Sequence, residues 1–138
     1  QLKKLNSNVK TRIHNFEKLY RFFINYPKLF DLPTQIKGIK TGWLAYPIII
    51  KPNSKIKRQA MQIFLEKKGI QTRTIFTGNI IRQPIMKNKN YKKVKKCSVN
   101  SDNIMKNGIL IGCHQGLKRK EINYVFTCLK MFLKKYTD

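Results

Sequence analysis

The sequence predicts an α/β domain of the α+β type, in which a small mixed sheet of about three strands is covered mainly on one side by helices. Three observations predict it. Apolar residues recur at helical spacing in long segments of the chain, shorter apolar runs lie between those segments, and 138 residues suit one domain with a modest core. The expected order is helix, strand, helix, strand, short helix, strand, helix, within a single small domain over residues 1–138.

A long leading helix is predicted over residues 1–26. Its apolar stripe consists of Leu2, Leu5, Val9, Ile13, Phe16, Tyr20 and Phe23. The sequence Asn25-Tyr26-Pro27 predicts the end of this helix, because proline disfavours helical backbone in the residue before it. A strand is predicted over residues 43–51, at a sheet edge or a bulge because it contains Pro47. Since the chain starts with Gln1 inside a helical pattern, we expect it to be part of a longer protein.

The second helix is predicted between Ser54, which can cap its start, and Gly69, which can close its end. Its predicted buried face consists of Ile56, Ala60, Met61, Ile63, Phe64 and Leu65. A buried strand over residues 72–76 follows, and later a short helical turn capped by Ser101 and a strand over residues 108–112. The last helix carries the apolar stripe Ile122, Val125, Phe126, Leu129, Phe132, Leu133 and Tyr136.

Charge is the most unusual feature of the composition. The chain has 30 lysines and arginines against 6 acids, for a net charge of +24. Such an excess favours nucleic acid, anionic lipid or phosphate-bearing ligands, but lysine dominates it, so we expect most of it on solvated faces. The lysine-rich loop over residues 87–96, with Tyr91 in it, is interpreted first as a solvated loop and second as a nucleic-acid contact, and any such binding is expected to be weak and non-specific. A stand-alone basic nucleic-acid-binding module is therefore the alternative function.

Cysteine content and hydropathy set further expectations. Cys97, Cys113 and Cys128 are odd in number and lack a CxxC spacing, so we expect neither disulfides nor a metal site but reduced thiols in the cytoplasm. No run of apolar residues approaches the length of a membrane span, and we therefore expect none.

The segment Thr72 to Met86, TRTIFTGNIIRQPIM, holds the candidate site. A strand end there is expected to bring hydrogen-bond donors that suit a phosphate or a sugar to one place, and these donors are Arg73, Asn79, Arg82 and Gln83. His114 follows the strand over residues 108–112 and is a further candidate substrate contact, with a structural role as its alternative. Cys113 is a poor partner for it, because adjacent strand residues point to opposite faces. His14 is expected to face solvent, and no catalytic residue is predicted.

Several strings of residues resemble one known family. They include Trp43-Leu44-Ala45-Tyr46-Pro47, Gly69-Ile70-Gln71-Thr72-Arg73, Gly78-Asn79-Ile80-Ile81-Arg82-Gln83-Pro84 and Ser101-Asp102-Asn103-Ile104-Met105. Together they resemble the C-terminal part of DegT/StrS-family nucleotide-sugar enzymes, which have the fold-type-I architecture. The GN-x-x-RQP string resembles most closely the CDP-4-keto-6-deoxy-D-glucose-3-dehydrase branch, which serves lipopolysaccharide biosynthesis. The chain departs from that branch at Asn103, where arginine is usual, and at His114-Gln115, where Tyr-Pro is usual.

The resemblance implies a small, substrate-closing domain of a dehydrase or aminotransferase that uses pyridoxal phosphate (PLP) or pyridoxamine phosphate (PMP). It implies that the cofactor, and the iron–sulfur cluster possible in the dehydrase branch, are held by a large domain that this chain lacks. Implied partners are a nucleotide-sugar substrate, that large domain and a second copy of the full enzyme in a homodimer. We expect the chain alone to be inactive and to bind no PLP.

Overall fold

The computed structural model describes residues 2–92 and 98–137. In chain order the elements are helix α1 (Leu2–Phe23), strand β1 (Phe30–Asp31), strand β2 (Ala45–Ile50), helix α2 (Arg58–Lys67), strand β3 (Thr72–Arg73), two short 3₁₀ turns (Ile80–Arg82 and Pro84–Met86), helix α3 (Ser98–Asn107), strand β4 (Gly108–Gly112) and helix α4 (Arg119–Thr137). The α/β fold class is confirmed, with long helices at both ends of the described chain.

The four strands form one sheet in the order β1-β2-β4-β3. Every described pair in it is antiparallel, with Ile48 opposite Ile109 and Thr72 opposite Ile111. The sheet is therefore antiparallel where a mixed one was predicted, and β1 is a strand that the sequence analysis did not predict. Apolar patterns indicate a strand but not its direction relative to a neighbour, and β1 is too short to show a pattern.

Pro47 lies in a strand with neighbours on both sides, not at an edge. The short β1 pairs with β2 only at Ile49 and Ile50, whereas β4 pairs with β2 from Ala45 to Ile49. The sheet is thus one strand narrower beside Pro47, which is how an interior strand accommodates a residue that cannot donate a backbone hydrogen bond.

The core lies on one face of the sheet. Tyr46, Ile48 and Ile50 alternate with half-buried residues along β2 and point into it. Helices α1, α2 and α4 cover this face with the buried side chains Phe16, Leu19, Phe23, Met61, Leu65, Ile122, Val125, Leu129, Phe132 and Leu133. The predicted stripe of the last helix is confirmed, since each of its residues is buried or packs against the core. Leu2 and Leu5, by contrast, are exposed in the first turns of α1.

Helix α2 begins later than predicted. Ser54 does not cap it: the Ser54 hydroxyl accepts a hydrogen bond from the Ile56 amide, and the helix starts at Arg58 after Lys57, which gives no side-chain cap. Its end agrees with the sequence. Gly69 has φ +72°, its amide donates to Glu66, and the following amide of Ile70 donates to Leu65, which is a Schellman closure.

Three smaller expectations were wrong. Ile63 is exposed on α2, not buried. Strand β3 ends at Arg73 because the backbone turns sharply at Phe76, so the predicted strand over residues 72–76 is only two residues long. Ser101 lies inside α3, which begins at Ser98, and so does not cap it.

Candidate functional site

The turn after β3 is strained at Phe76. This residue has φ +46°, a left-handed conformation that costs a non-glycine residue about 1–2 kcal/mol. The Thr74 hydroxyl stabilises the turn by donating to the Phe76 carbonyl at 3.1 Å. The turn leaves the Phe76 side chain 88% exposed, although the segment was predicted to be a buried strand.

Gly78 packs the turn closely against α3. Its φ is +70°, and a β-carbon added there would lie 2.7 Å from the Met105 α-carbon. A side chain is therefore unfavourable here for two reasons: the backbone conformation favours glycine, and Met105 occupies the space that a β-carbon would need. This explains the glycine of the Gly-Asn pair in physical terms.

Asp102 on α3 anchors the residues that follow. Its carboxylate accepts hydrogen bonds from Asn79 at 2.8 Å and from the Arg82 guanidinium at 3.0 and 2.7 Å. The buried Asn79 also accepts from the Ile81 amide, as the cap of the first 3₁₀ turn. The bonds from Arg82 and Asn79 hold the pKa of Asp102 down at about 2, so this carboxylate is charged at neutral pH.

The four predicted donors do not meet at one place. Asn79 and Arg82 share the carboxylate of Asp102, and Gln83 donates to the Thr77 carbonyl at 3.0 Å. Arg73 lies apart from them, on β3. The anchoring role of Asp102 was not predicted from the sequence, because its partners Arg82 and Asn79 lie 20 and 23 residues away and no local pattern links them.

Arg73 and His114 do come together, in what we call the His114 cavity. It measures about 610 Å³ and lies where the start of β2 and the end of β4 meet the start of α4. It is lined by Leu44, Ala45, Gly69, Ile70, Gln71, Arg73, Leu110, Ile111, Gly112, His114, Leu117, Lys120, Glu121, Tyr124 and Val125. The lining is mostly apolar with a few polar groups, which is the usual composition of a small-molecule site.

The loop that carries His114 is held by helix α1. The buried Asn15 donates its side-chain amide to the carbonyls of His114 and Leu117 at 3.1 and 3.0 Å. The His114 ring accepts the Gly116 amide at Nδ1. Asn15 therefore positions this loop. Its role was not predicted from the sequence, because the carbonyl groups that it binds lie 99 and 102 residues further along the chain.

Cys113 points away from His114. Its side chain is buried, its thiol lies 3.6 Å from the Trp43 carbonyl, and burial raises its pKa to about 11. His114 is exposed, so the expected separation of the two side chains is confirmed. His14 is exposed as predicted, and Cys97 lies outside the described residues.

A second depression shares Arg73 with the lining of the His114 cavity, and we call it the Phe76 depression. It measures about 600 Å³ and is lined by Gln62, Glu66, Gln71, Thr72, Arg73, Thr74, Phe76 and Leu110. Gln71, Arg73 and Leu110 also line the His114 cavity. Arg73 thus borders two spaces that are each large enough for part of a small-molecule ligand.

A cationic groove lies between the start of α2 and the end of α3. It is lined by Lys51, Pro52, Ser54, Lys55, Ile56, Lys57, Arg58, Gln59, Arg82, Asp102, Met105, Lys106 and Asn107. Its one carboxylate, Asp102, is already engaged by Arg82. The predicted lysine-rich loop over residues 87–96 is described only as far as residue 92.

Within residues 2–92 and 98–137, no three histidine, cysteine or acidic side chains lie close enough together to hold a metal ion. None of the helices described for this chain is long and apolar enough to cross a membrane.

The chain belongs to the DegT/DnrJ/EryC1/StrS aminotransferase family, whose model matches residues 1–130. It is 31% identical over 132 residues to the lipopolysaccharide biosynthesis protein RfbH of Salmonella typhimurium, covering 96% of this chain and 30% of that protein. It is likewise 31% identical over 131 residues to GDP-4-keto-6-deoxy-D-mannose 3-dehydratase of Escherichia coli O55:H7, covering 94% of this chain and 33% of the relative.

The fold agrees with the same group of proteins. A solved structure of the Escherichia coli GDP-4-keto-6-deoxy-D-mannose-3-dehydratase with bound hydrated PLP superposes with a TM-score of 0.82 at 30% identity. The superposition covers 94% of this chain and 33% of the dehydratase. The chain therefore spans about a third of the length of the relatives that it matches, and the resemblance to the family is confirmed.

Proposed function

We propose that this chain forms the small, substrate-closing domain of a PLP- or PMP-dependent nucleotide-sugar dehydrase or aminotransferase in lipopolysaccharide or dideoxysugar biosynthesis. The observation that carries the proposal is the His114 cavity, where an exposed arginine and a histidine border an apolar floor. An arginine suits a phosphate, and an apolar floor suits the face of a sugar that has lost hydroxyl groups.

Arg73 and His114 are the direct contacts in this proposal. The Arg73 guanidinium would bind the diphosphate, and the His114 ring, held by the Gly116 amide, would contact the sugar. Asn79, Arg82 and Gln83 were predicted as further substrate contacts. Because their donors are engaged within the chain, we propose that they serve the substrate by holding the turn that borders Arg73.

The side chains of the His114 cavity do not fit the cofactor. Its single lysine, Lys120, is exposed, whereas a lysine that joins a carbonyl compound as an imine works in a desolvated pocket. Its carboxylate, Glu121, accepts a hydrogen bond from the Lys118 amide at the start of α4. We therefore assign the cofactor, and any iron–sulfur cluster, to the large domain, and we derive no chemical step through either from this chain.

We extend the proposal to the domain organisation, oligomeric state and location of the enzyme. Residues 1–138 would form one domain that closes over a substrate held by the large domain, in a homodimeric cytoplasmic enzyme. Closure by a small domain excludes water and completes a site without itself supplying proton-transfer groups. That role suits a cavity that an arginine and a histidine border and whose carboxylate, Glu121, already accepts a hydrogen bond at the start of α4.

A chimeric enzyme tests the function. In it, this chain replaces the matching third of the Escherichia coli dehydratase, and consumption of GDP-4-keto-6-deoxy-D-mannose is measured. We expect activity above that of the truncated dehydratase, and loss of about tenfold or more in kcat/KM with Arg73→Ala, since a charged hydrogen bond is removed. Leu2→Ala, a change of an exposed residue that does not line the cavity, is the control. A folded chimera that binds PLP but has no activity above the truncated enzyme would refute the proposal.

The cationic groove supports the second candidate, a basic nucleic-acid-binding module. It gathers Lys55, Lys57, Arg58 and Lys106 around one concave surface, where a field of one sign is focused. Among the described residues that line the groove, there is no aromatic side chain on which a base could stack. Any binding there would be weak and independent of sequence.

A further inference from the structure

Arg73 lines both the His114 cavity and the Phe76 depression, and this position indicates how a ligand could bind. The His114 cavity and the Phe76 depression measure about 610 and 600 Å³. Arg73, Gln71 and Leu110 line both, so the two spaces adjoin along this short stretch of β3 and β4. A single elongated ligand with an anionic centre could therefore occupy both, with its charge at the guanidinium.

Phe76 is presented to the second space by a braced turn. The Thr74 hydroxyl holds the Phe76 carbonyl, Gln83 holds the Thr77 carbonyl, and Gly78 lies against Met105. The ring is 88% exposed despite this bracing. Because the backbone that carries this exposed ring is held in place, binding orders only the side chain, so more of a stacking interaction remains as affinity.

The chemistry of the depression favours a polar, flat occupant. Apart from Phe76 and Leu110, its lining consists of amide, hydroxyl and charged side chains. Some of these are already oriented: Glu66 accepts from the Thr72 amide and hydroxyl, and the Gln62 amide faces the same hydroxyl. An apolar protein segment would take the exposed carboxylate, amide and guanidinium groups of this lining out of water without new partners, whereas the edge of a nucleobase carries donors and acceptors that can meet them.

We propose that the Phe76 depression receives the nucleobase of the nucleotide-linked sugar, with the Phe76 ring stacked on the base. The inference rests on the proposed function. A nucleotide-sugar is ordered as base, ribose, diphosphate and sugar, and the surface is ordered as Phe76 depression, Arg73 and His114 cavity. The diphosphate lies at Arg73, and the sugar lies beside His114.

Calorimetric titration of the 138-residue chain with GDP, CDP, dTDP and inorganic diphosphate tests the inference. Phe76→Ala should weaken binding of the nucleoside diphosphates by about 5- to 150-fold, the range that stacking of one base provides, and should leave inorganic diphosphate unchanged. Arg73→Ala should weaken both kinds of ligand. Ile85→Ala is the matched control, because Ile85 is an exposed apolar residue nearby that lines neither space.

Phe76→Trp supplies a second measurement that keeps an aromatic ring. Its fluorescence should be quenched by the nucleoside diphosphates and not by inorganic diphosphate, above the background of Trp43, which stacks on Phe16 at 3.9 Å. Circular dichroism of each variant shows whether the fold is retained. A folded Phe76→Ala variant with nucleoside diphosphate affinity equal to that of the parent chain would overturn the inference.

Three other results would also overturn it. The first is that Phe76→Ala weakens binding of inorganic diphosphate as much as binding of the nucleoside diphosphates. The second is that the parent chain binds no nucleoside diphosphate. The third is that Phe76→Ala changes the oligomeric mass, which would show that the ring contacts protein. None of these decides the proposed function, since the chimeric enzyme reports activity and its dependence on Arg73 separately.

Discussion

Gly78→Ala is the substitution that examines most directly how the turn is built. Alanine at φ +70° costs about 1–2 kcal/mol from backbone conformation alone. The added β-carbon would lie 2.7 Å from the Met105 α-carbon, a backbone atom that cannot move without α3, and such overpacking costs about 1–3 kcal/mol more. We expect the free energy of unfolding to fall by about 2–5 kcal/mol in total.

Gly69→Ala is the matched control. Gly69 has nearly the same conformation, φ +72°, but an added β-carbon there meets no atom within 4 Å. It should therefore cost only the conformational part, about 1–2 kcal/mol. For a chain of this size, where 1 kcal/mol corresponds to about 3–4 °C, thermal melts should fall by about 6–20 °C for Gly78→Ala and about 3–8 °C for Gly69→Ala.

The comparison is made by thermal and urea unfolding followed by circular dichroism. If the two variants lose the same stability to within about 0.5 kcal/mol, the turn does not pack on α3 and the backbone at Phe76 is not held in place. A larger loss confined to Gly78→Ala supports both.

Three further predictions concern single groups and the surface charge. Tyr46→Phe should raise the free energy of unfolding by about 1 kcal/mol in urea titrations, because the buried Tyr46 hydroxyl has no partner among the described residues; a loss of that size would show that the hydroxyl is bonded. Asp102, with a pKa lowered to about 2, stabilises the fold above the unfolded pKa of about 4 and loses that effect as the pH falls toward 2. Melts of the parent chain and Asp102→Asn should therefore converge between about pH 4 and 2, and a constant difference would contradict the anchor. Binding of the chain to two unrelated duplexes and to one single strand should weaken steeply as the salt concentration rises. Neutralising Lys92, Lys93, Lys95 and Lys96 should weaken binding equally for all three nucleic acids. A strong preference for one sequence would instead favour the nucleic-acid module.

Local signals determined much of this protein from sequence alone. The stripe of α4 and the closure at Gly69 depend on residues within one or two turns of each other, so their patterns predict them directly. The string around Gly78-Asn79 and Arg82-Gln83-Pro84 indicated the family and the segment that borders the candidate site, because such a string depends only on residue order.

The tertiary structure decided what these residues do. Arg82 was predicted to face a substrate, but it pairs with Asp102, twenty positions along the chain. Arg73 was grouped with Asn79, but it borders the same cavity as His114, since β3 pairs with β4. Strand pairing and ion pairing join positions that are far apart in sequence, and neither produces a local pattern of residues. Only the folded chain therefore shows which donors are available to a ligand and which hold the turn after β3 in place.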